Sequence, residues 1–507
     1  MASSRDIANR HAITAAMMLG SLLVAVDTTI ANVALPHMQG SFSSSQDQTA
    51  WVLTSYIVAS AVATPLTSWL AARVGHKLVV LVSIGGFTVA SMLCGLSTNL
   101  AEIVVFRVLQ GALGASLQPL SQAVMLDLYP PSQLGQVMAI SGSTVLIAPI
   151  AGPVLGGWIT DNFSWRWVFF INLPIGALAF AGVWLFMSRG PASPRRPFDF
   201  LGFSALVVFI VALQLMLDRG STLDWFSSTE IRIEALCAAI GLYVFLIQTL
   251  TGSHPFFDPA LAKDRNFLTA TFFIVAASGM LFSTIALQPP LMQGLLGYSV
   301  TGAGILMAPR GMGSLAAMFM ASRLIGWWDT RLILFCGLSL VAVGMLQMSH
   351  FDLGMDTRPF VTAGLLQGLG VGLVVVPVSA LAFATIPAAL RSDGAVVYAV
   401  LRNLGQSVGV SISEAIFAGR LAVAHSDLTT LVQPTDPVLR AGLPAVMNPH
   451  TSTGLALLNA EITRRASMIG YVDIFRLGMI GALAVMPLIF ILRPPKNAAM
   501  VAEVVAE

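Results

Sequence analysis

Fourteen stretches of about 20 mostly apolar residues, each long enough to cross a bilayer as a helix, follow one another along the chain. They fall near 13–36, 49–71, 78–97, 102–126, 135–159, 167–187, 200–217, 232–250, 267–290, 300–322, 331–349, 359–385, 394–418 and 470–492. A soluble fold cannot cover that much apolar surface: 56% of the residues are hydrophobic and 10% are charged, against about 25% charged in ordinary soluble domains. Lipid is therefore the solvent, and in lipid each segment must satisfy its own backbone N–H and C=O groups. The expected fold class is an all-α polytopic membrane protein with 14 spans. An even number of spans puts both termini on one side. Arg5 and Arg10 precede the first run, which lacks a leader-cleavage site and reads as an uncleaved first span.

Charge sets the orientation. With a cytoplasmic N-terminus, the cytoplasmic segments hold Arg73, Lys77, Arg189, Arg195, Arg196, Lys263, Arg265, Arg323, Arg331, Arg391, Arg493 and Lys496. The opposite loops 37–48, 98–101 and 291–299 hold no Lys or Arg, and Arg166, Arg219 and Arg358 stand alone there. This is the positive-inside pattern. A long segment near 419–469 carries Arg420, Arg440, Arg464 and Arg465 on the outer side. Long loops translocate largely regardless of charge. The expected location is the cell inner membrane, with both termini cytoplasmic.

A weak internal repeat divides the chain. Leu109-Gln110-Gly111 opens a stretch ending in Tyr129-Pro130-Pro131, and Leu366-Gln367-Gly368 opens one ending in Ile386-Pro387. Pro119 and Ser121 in the first match Pro377 and Ser379 in the second, with one residue of slippage. The basic loop Arg73 to Lys77 is echoed by Arg323 to Arg331. Parallel halves about an axis along the membrane normal are a transporter architecture. The expectation is a six-helix bundle over 1–187, two inserted spans over 188–266, and a second six-helix bundle over 267–507 with its long periplasmic loop near 419–469.

Several function classes drop out. The net charge is +2 and the basic residues are scattered, with no patch dense enough to grip nucleic acid. No phosphate-cradling GxxxxGK[ST] segment is present to support ATP hydrolysis. The seven histidines are dispersed, and an HExxH pattern is missing. Cys94, Cys237 and Cys336 each lie in an apolar run, where a thiol acts as a small hydrophobe. Neither an enzyme, a metal site nor a cofactor is expected.

The motifs taken together resemble the major facilitator superfamily, specifically its 14-helix drug:proton antiporter branch, the EmrB/QacA group. The likeness covers nearly the whole chain. Leu23 to Pro36, with Asp27-Thr28-Thr29 and Asn32 inside it, is similar to the group's signature in the first span. Trp69 to Lys77 resembles the superfamily's loop after the second span, except that Ser68 and Ala72 stand where Gly and Asp are usual. That departure puts the usual loop-to-helix salt bridge in question. Arg107-x-x-Gln110-Gly111 resembles the fourth-span motif linked to proton transfer. Gly152-Pro153-x-x-Gly156-Gly157 resembles the fifth-span antiporter motif, and Trp165-Arg166-Trp167-x-Phe169-x-Ile171-Asn172-x-Pro174 leads into the sixth span.

The ionisable residues inside spans suit that chemistry. A charge within the hydrocarbon costs on the order of 2.5–3.5 kcal/mol on insertion scales, so it needs a partner or a function. Asp27 has no basic neighbour one turn away on its own helix. Held out of water, it can load a proton from one side and release it to the other. The bland alternative is a polar cap near the membrane surface. Glu414 is the second proton-site candidate; pairing with Arg402, or facing the outer mouth, fits it equally. Glu234, beside Arg232, reads as an interfacial group. Arg107 stays charged in any setting. It reads either as the partner that couples to a carboxylate or as an interfacial arginine.

Asn32, Gln110, Arg310 and Arg402 are candidates to line a cargo cavity, the two arginines because burial against lipid would be costly. Ala148, Gly152 and Gly156 form a ridge that admits a close neighbour, with Pro149 and Pro153 allowing a kink. Arg73, Gly75, His76 and Lys77 are candidates to latch the halves together. The 23 methionines offer a soft lining, although lipid-facing and packing roles account for many.

The expectation is a proton-coupled antiporter that exports hydrophobic or amphipathic drugs by alternating access. The resemblance implies an EmrA-type periplasmic adaptor and an outer-membrane channel as partners, with the 419–469 segment as the docking element. One rival is a dedicated exporter of a single metabolite, such as a fatty acid or siderophore. Another is a non-transporting membrane sensor or scaffold.

Overall fold

The computed structural model describes residues 4–130, 133–188, 197–253, 255–325, 327–432, 447 and 451–491, and these residues form helices without strands. Each expected stretch lies on a helix. Spans 1 to 6 are Arg10–Phe42, the pair Gln46–Ala63 and Leu66–Val74, His76–Leu96, the pair Leu100–Gly114 and Leu117–Leu128, Leu134–Asn162, and Trp167–Phe170 with Asn172–Phe186. Spans 7 and 8 are Phe200–Arg219 and Thr229–Thr251. Spans 9 to 14 are Arg265–Pro290, Val300–Leu324, Thr330–Met348, Arg358–Ala384, Arg391–Leu431 and Ser452–Val485. Among the described residues 12 helices are long and apolar enough to cross a membrane, or 13 if the bent pair Trp51–Ala63 and Leu66–Val74 is one span, a number compatible with the 14 expected.

Proline sets the breaks. Pro65 lacks an N–H and its ring crowds the preceding turn; span 2 bends there by 54°. Span 4 breaks at Ala115 and Ser116, the residue pair just ahead of Leu117 and Pro119. Pro289 and Pro290 end span 9, and the chain leaves through a wide turn in which Leu296 N–H reaches Leu291 C=O at 3.1 Å. Short polar side chains start the helices: Ser45 and Gln48 form a reciprocal cap on span 2, and Asp264, Ser299, Asp329 and Thr451 cap spans 9, 10, 11 and 14.

The packing repeats between the first six and last six spans. Span 1 packs on 5 and 6, span 2 on 4, and span 3 on 4 and 6. Correspondingly, span 9 packs on 13 and 14, span 10 on 12, and span 11 on 12 and 14. Small residues allow it in both sets. Gly152 and Gly156 of span 5 lie against Thr29 and Ile30 of span 1, while Gly405 and Gly409 of span 13 lie against Val275 and Gly279 of span 9. The two sets meet where span 5 packs on spans 10 and 12 and span 13 packs on the second segments of spans 2 and 4. Spans 7 and 8 pair with each other, and span 7 also touches spans 2 and 13. Span 8 shows Ile233, Leu236, Ile240, Tyr243 and Leu250 to its surroundings, as a lipid-facing helix does.

The segment near 419–469 corrects the expectation of a long loop. Span 13 runs on as helix to Leu431 and span 14 begins at Ser452. Forty-one helical residues reach about 60 Å, about twice the hydrocarbon thickness. Hydropathy registers where a helix leaves lipid, not where it ends. Arg420 pairs with Asp473 at 3.5 Å and His425 with Asn459 at 3.0 Å, holding the two extensions side by side. Arg189, Arg195, Arg196, Leu439, Arg440, Leu443, Arg493 and Lys496 lie outside the described residues.

Candidate functional site

Asp27 sits in the middle of span 1, not at a surface, and is 1% exposed. Three donors converge on its carboxylate. Arg107 of span 4 gives Nη1 to Oδ2 at 2.5 Å, and Gln110, one turn on, gives Nε2 to Oδ1 at 2.8 Å. Asn172 of span 6 gives Nδ2 to Oδ1 at 2.8 Å and to Ser91 Oγ at 2.9 Å. Ser91 in turn donates to the Phe169 carbonyl at 2.9 Å. Arg107 also donates Nη1 to Gln110 Oε1 at 2.8 Å and Nε to the Val52 carbonyl at 3.0 Å. Its guanidinium lies over the Tyr56 ring at 4.2 Å, an arrangement that stabilises a desolvated cation. Arg107, Gln110 and Asn172 are fully buried, so the interfacial reading of Arg107 fails.

The spacing explains the geometry. Arg107 and Gln110 share a helix face three residues apart. Gly111 lets span 4 approach span 2 so closely that any Cβ there would meet the Tyr56 carbonyl. The pair is a high-stakes arrangement: removing one partner of a buried ion pair typically costs about 3–5 kcal/mol. Arg107 Nη2, Tyr56 OH and Asn172 Oδ1 are buried without a hydrogen-bond partner among the described residues. Protonating Asp27 would remove the charge that Arg107 pairs with.

The corresponding place in the second half holds other chemistry. Gln367 of span 12 donates Nε2 to Thr284 Oγ1 of span 9 at 3.1 Å. Gly368 brings span 12 onto the Arg310 carbonyl of span 10. Arg310 is 5% exposed and donates to Gln288 Oε1 at 3.3 Å and to the Leu281 carbonyl at 3.1 Å. Among the described residues it has no carboxylate partner.

A narrow cleft lies between spans 9 to 13, with Gly142 of span 5 completing it. Its walls are apolar except for Ser278, Gln367, Arg402 and Gln406. Of the four expected cavity residues, Arg402 borders this cleft. Gln110 is enclosed with Asp27, Arg310 is buried between spans 9 and 10, and Asn32 is exposed on span 1. Arg402 does not pair with Glu414: it donates Nη2 to Gln118 Oε1 of span 4 at 2.6 Å. Glu414 is exposed on span 13. Near it, Asp218 of span 7 accepts from Gln214 at 2.9 Å, and Ser407 of span 13 donates to Gln214 at 3.0 Å. Glu234 pairs with Arg219 at 3.3 Å, whereas Arg232 turns to the Phe226 and Ser227 carbonyls.

The loop after span 2 is tied within its own half. Gly75 has φ 86°, a conformation open to glycine. Lys77 gives Nζ to the Trp184 and Met187 carbonyls at the end of span 6, at 2.8 and 2.5 Å. Arg73 is exposed and stacks over Trp69 at 5.1 Å. Near this loop Arg391 of span 13 links the halves: it donates to the Leu126 carbonyl at 2.9 Å and pairs with Asp127 at 3.6 Å. In span 5, Gly152, Gly156 and Gly157 are buried; the side chains of Ala148, Pro149 and Pro153 lie outside the described residues. Nothing in the sequence marks Tyr56, Ser91, Gln118 or Thr284, whereas Asn172 lies inside the motif that leads into span 6.

A family model described as Major Facilitator Superfamily matches residues 17–410. The chain is 34% identical over 96% of its length to the multidrug export protein EmrB of Escherichia coli (strain K12), covering 96% of that protein. It is 33% identical over 95% of its length to the fatty acid resistance protein FarB of Neisseria gonorrhoeae, covering 96% of it. The solved structure of the human organic anion transporter MFSD10 shares the fold, with a TM-score of 0.60 at 14% identity over 93% of this chain and 99% of that one.

Proposed function

The chain belongs to the Major Facilitator Superfamily, and from that premise we propose that it is a proton-coupled antiporter exporting hydrophobic or amphipathic compounds by alternating access. The observation that carries the reading is the convergence of Arg107, Gln110 and Asn172 on the buried Asp27. A proton arriving at Asp27 competes with Arg107 for the carboxylate. Neutralising the acid loosens spans 1, 4 and 6 from one another, and the glycine seam between spans 1 and 5 gives the rearranged helices a smooth contact. Arg107 keeps its charge throughout and cannot carry the proton. Glu414, exposed beside Asp218, is the second acid that protons reach in this scheme.

On this reading 1–187 and 267–507 are the rocking bundles and 188–266 the insertion. The membrane is the cell inner membrane with both termini cytoplasmic. The paired extensions of spans 13 and 14 dock a periplasmic adaptor that leads to an outer-membrane channel. Shortening 425–460 then lowers export while insertion persists; unchanged export removes the docking role.

The decisive test is substrate-dependent proton flux in proteoliposomes. Asp27→Asn inserts normally and loses the flux; flux equal to wild type removes Asp27 from the mechanism. A chain giving no flux with any cargo is a sensor or scaffold. The similarity to FarB, on a par with that to EmrB, favours one second reading, a dedicated exporter of one metabolite such as a fatty acid. Competition between chemically unrelated compounds separates the two.

A further inference from the structure

We infer that Arg402 is the counter-ion for an anionic amphiphile seated in the cleft of the second half, and that Gln118 holds the same guanidinium until cargo takes it. This rests on the export reading and adds the charge and the seat of the cargo.

Four observations carry it. Arg402 borders the cleft, and no Asp or Glu is among the residues lining it. Its polar contacts are amide oxygens, Gln118 at 2.6 Å and Asn403 at 3.5 Å, both taken by Nη2. Its Nε is buried without a hydrogen-bond partner among the described residues. Apart from Ser278, Gln367 and Gln406 the remaining wall is apolar and pliable, with Met280, Met318 and Met345 among the lining.

A guanidinium in a membrane span that meets only neutral acceptors is under-compensated. A carboxylate or sulfonate can take two N–H groups at once, with charge-assisted bonds stronger than those to an amide. It satisfies Nε and displaces Gln118, while the tail fills the apolar cleft. A cationic amphiphile meets only repulsion there. Gln118 belongs to span 4 and Arg402 to span 13, so the exchange also breaks a bond between the two halves. Cargo binding would in this way release one inter-half tie, in the span that also carries Arg107.

The test is equilibrium binding to the full chain in nanodiscs, without a pH gradient, of dodecanoate, dodecanol and dodecyltrimethylammonium, which share one tail. Dodecanoate binds about ten-fold or more tighter than the cation, a difference one charge-assisted pair supplies. Arg402→Gln removes that preference and leaves dodecanol unchanged, and Arg402→Lys keeps part of it. Gln118→Ala, a milder change at a partly buried site, tightens dodecanoate several-fold and keeps the proposal testable if Arg402→Gln does not fold. Equal binding of the anion and the cation overturns the inference, as does an anion preference that survives in Arg402→Gln, or unchanged dodecanoate affinity in Gln118→Ala. Asp27→Asn separates the two proposals: it binds dodecanoate like wild type and fails in flux. If Asp27→Asn transports normally while the anion preference holds, proton coupling at Asp27 falls and the cargo assignment stands.

Discussion

At matching places in the two halves a glutamine closes on the polar side chain of a bundle's first helix: Gln110 on Asp27 in one, Gln367 on Thr284 in the other. The scaffold around them repeats. Gly111 and Gly368 press span 4 onto the Tyr56 carbonyl and span 12 onto the Arg310 carbonyl. The charges do not repeat. In the first half an arginine three residues before the glutamine meets a carboxylate. In the second, Gly364 stands three residues before the glutamine, and the guanidinium comes from Arg310, at the place of Tyr56. One half thus encloses a neutralised pair, and the other a cation held by amide and carbonyl oxygens. The proposed proton exchange needs an acid, and of these two places the first half's holds one, Asp27. The second half keeps positive charge near the cleft.

The largest expected effect comes from breaking the pair. Arg107→Ala strands a buried carboxylate and costs about 3–5 kcal/mol of stability, read as a fall in the thermal midpoint of the purified protein. Asp27→Asn combined with Arg107→Gln recovers most of that stability, because amides of similar shape bond to the same neighbours, while proton flux stays lost. A stable double variant that still couples would show that the asymmetry between the halves is incidental.

Moving the acid across comes next. Arg310 bonds to Leu281 and Gln288, and Thr284 lies between them on one helix face. Thr284→Asp therefore sets a carboxylate beside the lone guanidinium. A double-mutant cycle with Arg310→Gln should give a coupling of about 1–3 kcal/mol. Zero coupling would mean that the two halves are not equivalent at this place.

Much of this asymmetry could be read from residues, and the unread part has a physical cause. Asp27, Arg107 and Gln110 were identifiable because charges and amides inside apolar runs demand partners. The identity of the partner was hidden: Arg107 lies 80 residues from Asp27 along the chain, and helix-local spacing does not reveal contacts made by packing. The Leu-Gln-Gly repeat exposed the halves, but Thr284 carries no charge and gave no cue. Tyr56 looked like one more apolar residue until Arg107 lay over its ring. The loop expected over 419–469 failed for a different reason. A helix can continue in water with polar residues, so hydropathy alone marks the membrane and misses the helix.

Gly111→Ala and Gly368→Ala probe the shared scaffold instead of the charges. Each methyl would meet a backbone carbonyl of the neighbouring helix, and overpacking of that kind costs about 1–3 kcal/mol. Similar losses of stability are expected in both halves. A loss confined to Gly111→Ala would tie the close approach to the ion pair rather than to the repeat.

The smallest effect belongs to the contact that joins the halves. Arg391 and Asp127 are 24% and 29% exposed at 3.6 Å, and pairs in contact with solvent contribute about 0.2–1 kcal/mol. Asp127→Asn removes the charge while Arg391 keeps its bond to the Leu126 carbonyl at 2.9 Å. The halves should then part more often at this end, by a factor of no more than about five. Labelling of Ser392→Cys, in a chain freed of Cys94, Cys237 and Cys336, reads the change as a faster reaction with an impermeant maleimide applied to the face bearing the contact. Unchanged labelling would place the hold between the halves in the packing of spans 5 and 10 and, on the proposed mechanism, would leave the Asp27 cluster as the charged control point between the two states.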